Sequence, residues 1–139
     1  MSPHSPLLSP QDALIYAMVM MSAVDRAMAE DELEEIGQMI RSLPIFAGFD
    51  PDRLTLVAED CAVLLAGAEG LDIALELLRE ALPQRLRETA YALAVEIAVT
   101  DGRIRGEEVR LLKLISDRLD LDRLICAAIE RGALARYRR

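Results

Sequence analysis

A chain of 139 residues is one ordinary domain's worth, and with 53% hydrophobic and 29% charged residues it can bury a core and stay in solution. The net charge of −8 speaks against a nucleic-acid binder, because a phosphate backbone rewards Lys and Arg. A single histidine, His4, leaves no material for a histidine zinc site or a Ser–His–Asp triad.

Residues 1–8 form a Pro- and Ser-containing tail, expected to be flexible, with none of the basic-then-apolar order of a signal peptide. Ser9-Pro10-Gln11-Asp12 is a helix start: Ser9 caps, Pro10 suits the first helical position and Asp12 complements the positive helix end. The first helix runs to about Asp25 and is apolar nearly all round, the pattern of a central helix. Its stretch from Ala13 to Val24 is too short to span a bilayer, so membrane insertion is not expected.

The second helix sets Leu33, Ile36, Ile40 and Leu43 against a polar side of Glu34, Glu35, Gln38 and Arg41, and Pro44 ends it. The segment Pro44 to Phe49 holds both phenylalanines and reads as a packed loop. A third helix follows Asp50-Pro51 with Leu54, Val57, Cys61 and Leu64 on one face, and Gly67 and Gly70 break it. A fourth helix carries Leu71, Ala74, Leu75, Leu78 and Leu82. Pro83 opens the fifth, again strongly apolar from Ala90 to Val99. The sixth spans about Gly106 to Leu119. The seventh lines up Leu121, Leu124, Ile125, Ala128 and Ile129, with Gly132 as its stop. The C-terminal Arg131, Arg136, Arg138 and Arg139 read as a solvated basic end.

The reading is an all-α fold of about seven helices in a single domain, residues 9–139. Inside it lies a repeat. Val24-Asp25, Met28, Asp31-Glu32-Leu33, Ile36, Met39 and Leu43 keep register with Thr100-Asp101, Ile104, Glu107-Glu108-Val109, Leu112, Ile115 and Leu119. Asp50-Pro51-Asp52-Arg53-Leu54 then matches Asp120-Leu121-Asp122-Arg123-Leu124. The repeat units are about 9–66 and 83–131, joined by a linking helix at about 70–82. A duplicated three-helix unit is expected to pack about a pseudo-two-fold axis with the first and fifth helices at the centre.

Each copy has an acidic inter-helix turn: Asp25 with Glu32, and Asp101 with Glu108. An Asp in a helix's last turn faces the negative end of the macrodipole and needs compensation from a backbone N–H, a basic side chain or a cation. Two readings stand side by side. The carboxylates are helix caps, or they bind a hard cation, Ca²⁺, Mg²⁺ or Mn²⁺, since neither His nor thiolate is at hand. An EF-hand is excluded: counting from Asp101, Gly106 falls correctly, but Arg103 and Arg105 take ligand positions and Leu112 replaces the bidentate Glu. Glu96 lies inside an apolar helix; it could serve as a ligand, but facing solvent or pairing with an Arg is the preferred expectation. Cys61 and Cys126 are far apart, without a CxxC, and read as two buried thiols in a reducing compartment. No nucleophile–base pair or phosphate loop is visible, so the chain is not expected to be an enzyme. A carboxylate pair is the only acid–base chemistry left open.

The second copy, Ala98-Val99-Thr100-Asp101-Gly102-Arg103-Ile104 to Glu107-Glu108, resembles the turn of the tellurite-resistance TerB-like family. The first copy, Ala23-Val24-Asp25-Arg26-Ala27-Met28 to Asp31-Glu32, is a looser version. Arg26 stands where Gly is usual, and Ala29 and Arg105 where Ser or Thr is common. The resemblance implies an all-helical, cytoplasmic, non-catalytic protein of a stress or tellurite-resistance response. It implies a divalent cation at Asp25, Glu32, Asp101 and Glu108, and as partner another protein of the same resistance system, membrane-associated in some cases. The competing reading is a helical protein-interaction module whose acidic turns are structural caps.

Overall fold

The computed structural model describes residues 8–24, 30–100 and 104–138. Among them lie seven α-helices and no strand: α1 (Pro10–Ser22), α2 (Glu30–Ser42), α3 (Leu54–Ala66), α4 (Gly70–Ala81), α5 (Gln84–Ala98), α6 (Gly106–Arg118) and α7 (Arg123–Arg136). Two 3₁₀ turns, Pro44–Phe46 and Pro51–Arg53, lead from α2 into α3. No helix of the described residues is long and apolar enough to cross a membrane.

The core is built around α1. Every residue from Ala13 to Ser22 is buried, which a helix apolar on all sides requires. Ser9 caps it by accepting the Asp12 N–H at 3.0 Å, with Pro10 in the first turn. Its main neighbours are α5 and α3, with α4 alongside, so the two apolar helices expected at the centre do pack on one another. Ser22 is the exception in this apolar helix: its hydroxyl is buried and makes no hydrogen bond among the described residues.

Pro44 to Phe49 is a packed loop. Phe46 and Phe49 are buried and meet edge to face, ring centroids 6.0 Å apart. Gln11 donates to the Ile45 and Ala47 carbonyls at 3.0 and 3.3 Å, which pins the loop to the start of α1. Arg53 spans the same region, paired with Asp12 at 3.1 Å and lying 5.2 Å over the Phe49 ring.

The break between α3 and α4 depends on Gly70. A Cβ there would lie 2.0 Å from the Leu64 carbonyl oxygen, because Glu69 before it takes a left-handed conformation and turns the chain back sharply. The α4 and α6 helices are joined by a polar seam, in which Arg118 donates to Asp72 and Glu76 and Arg79 to Asp120.

The structure differs from the sequence reading at α7, which runs through Gly132 to Arg136 instead of stopping there, and at the turns that precede α3 and α7. The pentapeptides matched around Leu54 and Leu124 do different work. Asp50 opens a 3₁₀ turn by accepting the Asp52 N–H at 3.0 Å, whereas α7 is capped two residues further on, by Asp122 accepting the Leu124 N–H at 2.7 Å. Asp120 instead occupies the left-handed region, φ 57°, where its carboxylate meets Arg79. The inward face of α7 is accordingly Cys126, Ile129, Ala133 and Tyr137. Leu54 is buried, but Leu124 is 81% exposed and Ile125 also faces outward.

A candidate groove between three helices

Of the acidic turns, Asp25 and Asp101 lie outside the described residues, while Glu32 and Glu108 lie within them. Glu108 sits in the first turn of α6 and its Oε1 accepts the Arg105 backbone N–H at 2.7 Å. This is the backward-reaching half of a capping box, and it satisfies an N–H that the helix itself leaves over. Glu32 is half-buried in the first turn of α2, in a run with Asp31, Glu34 and Glu35. Among the described residues, no three His, Cys, Asp or Glu side chains converge as a metal-holding group.

A roomier surface feature lies elsewhere among the described residues. An open groove of about 640 Å³ runs between α2, α5 and α7. Met39 of α2 and Leu43 just after it, Ala92 and Leu93 of α5, and Ile129 and Ala133 of α7 give it an apolar floor. The small residues on α5 and α7 keep the helices' side chains from filling it. Its polar rim is Glu35, Gln38, Glu96, Arg136 and Tyr137.

The two carboxylates of the rim are in different states. Glu96, singled out in sequence as an acid inside an apolar helix, accepts from the Arg136 guanidinium through one oxygen and from the Tyr137 hydroxyl through the other. The bond to Glu96, with burial, pushes the Tyr137 hydroxyl up to about 12. Glu35 has no ion pair or hydrogen bond among the described residues. Partial burial, followed by the negative charges of Glu32, Glu96 and Asp31, pushes its carboxyl up to about 7. At neutral pH it therefore stands between its protonated and ionised forms.

Sequence reasoning placed Glu35 on a solvated polar side and did not find the groove. The available signal was that α2 carries two apolar stripes, Ile36 with Ile40 and Met39 with Leu43. The first pair is buried, and the second is left to line the groove.

Cys61 and Cys126 are buried and free, and burial pushes the Cys61 thiol up to about 12, far from a thiolate at neutral pH. The Tyr91 hydroxyl donates to Glu130 across the α5–α7 contact, and burial with that bond raises its pKa.

With this arrangement in place, comparison with protein families gives a match to the family described as tellurite resistance protein TerB, over residues 11–130. The chain belongs to the TerB family. The match spans all of α1 to α6 but for Pro10, together with the first part of α7, so the central helices, both acidic turns and most of the groove fall within it. Comparison with curated proteins and with solved structures returned no match.

Proposed function

We propose that this TerB-family protein acts by binding and not by catalysis: a cytoplasmic helical interaction module of a stress or tellurite-resistance response, with the α2–α5–α7 groove as its recognition face. The observation that carries this reading is the groove itself, an apolar floor of six side chains, five from three helices and Leu43 just after α2, left open inside a polar rim. The capping bond from Glu108 to the Arg105 N–H supports the companion reading that the acidic turns serve as caps. Two free, buried cysteines suit a reducing compartment.

The test is in-cell photo-crosslinking from a benzophenone side chain at Gln38, on the groove rim, against the same group at Glu59 on the exposed side of α3. The groove position is expected to give a discrete protein adduct that the control position does not. Identical patterns from the two positions would refute the reading.

A second reading has an observation in its favour. The carboxylates of Asp31, Glu32 and Glu96 raise that of Glu35, so negative charge is concentrated near the first acidic turn. On this reading Asp25 with Glu32, and Asp101 with Glu108, hold Ca²⁺, Mg²⁺ or Mn²⁺. Thermal melts of metal-free wild type and Asp101→Asn, with and without each cation, separate the two. Cation binding raises the wild-type midpoint by mass action and raises the variant's less, since Asp101→Asn removes one of the two sites, whereas caps alone give melts indifferent to every cation.

A further inference from the structure

The groove's charge narrows what can occupy it. Its apolar floor favours apolar side chains, but its rim is not neutral. Glu96 is already satisfied by Arg136 and Tyr137. Glu35 stands half-buried beside Asp31 and Glu32 of its own helix and Glu96 of α5, and among the described residues the one cation of the groove lining, Arg136 of α7, is engaged by Glu96. A carboxylate that loses water on docking and meets only like charges is unfavourable, whereas one that meets a cation forms a charge-assisted bond. A neutral occupant can bury Glu35 only as the protonated acid and an acidic one adds a further like charge, whereas a cationic occupant pairs with the ionised form. The length of the site bears on its size: Glu35 and Ser42 bound about 10 Å of α2 at the helical rise, nearly two turns of a docked helix and longer than a free amine or guanidinium.

We infer that the groove receives an amphipathic segment of a partner protein bearing one Lys or Arg, with its apolar side chains on Met39, Leu43, Ala92 and Leu93 and its cationic head against Glu35. This rests on the reading of the groove as the recognition face and adds the chemistry of the partner. The pairing also carries a proton. Below neutral pH the cation must displace the Glu35 proton, so affinity rises with pH across the range in which Glu35 ionises. The other charged and titratable groups facing it, Asp31, Glu32, Glu96, Arg136 and Tyr137, set the height of that range.

The experiment is an amide NMR titration of the full chain with N-butylguanidinium and its neutral analogue N-butylurea. A capped twelve-residue helical peptide with leucines along one face and a single Arg is titrated in parallel with its citrulline counterpart. Butylguanidinium is expected to shift amides of residues 35–43, 92–96 and 128–137, and butylurea not to. The Arg peptide is expected to bind at least roughly thirtyfold more tightly than butylguanidinium, and the citrulline exchange and Glu35→Gln each to weaken it roughly tenfold. Glu59→Gln should change nothing. Equal binding of the arginine and citrulline peptides, or no effect of Glu35→Gln in a variant with an intact spectrum, overturns the cationic anchor. If the shifts still map to the groove, the recognition face itself survives that result. A peptide no tighter than butylguanidinium overturns the protein segment in favour of a small cation. Absence of groove shifts with every probe overturns this inference, and absence of groove-specific crosslinks from Gln38 would remove the recognition face with it.

Discussion

Glu35 keeps its proton more firmly in the folded chain than in the unfolded one. Its carboxyl moves from an ordinary 4.5 to about 7, through burial first and then the charges of Glu32, Glu96 and Asp31. The folded state therefore binds more protons than the unfolded state between those values, and this group's contribution to stability falls as pH rises through that window. Glu35→Gln removes the effect. Melting curves should show the variant gaining on the wild type between pH 5 and 8, by about 3 °C for a domain of this size after allowance for solvent screening. A constant difference across that range would count against the electrostatic account of the groove. Ser22 makes a separate point. Its buried hydroxyl finds no acceptor among the described residues, so Ser22→Ala should raise stability by about 0.5–1 kcal/mol in urea denaturation. Glu108→Ala should cost about 1 kcal/mol by the same assay through loss of the α6 cap, and Glu108→Gln, which keeps an acceptor, should recover most of it.

Among the helices, those with a strong apolar signature were legible in the sequence. The all-round apolar α1 announces a central element, Ser9-Pro10 announces its start, and Gly67 and Gly70 announce the α3–α4 break. The orientation of α7 was not legible. Leu124 and Ile125 look like core residues by type, and the match with Asp50–Leu54 reinforced that reading. The cap at Asp122 and the left-handed Asp120 set the helix so that Cys126, Ile129 and Ala133 face inward. Periodicity fixes which residues share a face but not which face the preceding turn aims at the core. Leu124→Glu should accordingly alter stability by less than about 0.5 kcal/mol, whereas Met18→Ala in the centre of α1 should cost about 2–5 kcal/mol. Chemical denaturation of the two variants side by side checks the assignment of inside and outside.

For the molecule as a whole, a net charge of −8 predicts no sequence-independent DNA binding at physiological salt, which a mobility shift at low micromolar protein would refute. The family and the helical architecture could be read from residues 11–130, since they reside in local patterns: the acidic turns, the apolar helices and the breaks between them. The groove could not, because it is made by three helices distant in the chain. Glu35, Glu96 and Tyr137 become neighbours only when α2 and α7 settle against α5. Glu96 could be singled out as an acid in an apolar run, but nothing local named Arg136 and Tyr137 as its partners. The central claim, that this groove is the working face of the protein, is tested most directly by crosslinking from Gln38 in an Ala128→Trp background. Ala128 is exposed on the groove wall, so the indole fills the groove without entering the core. The account predicts an unchanged melting temperature and loss of the Gln38 adduct. An adduct of undiminished yield in the filled variant would contradict it.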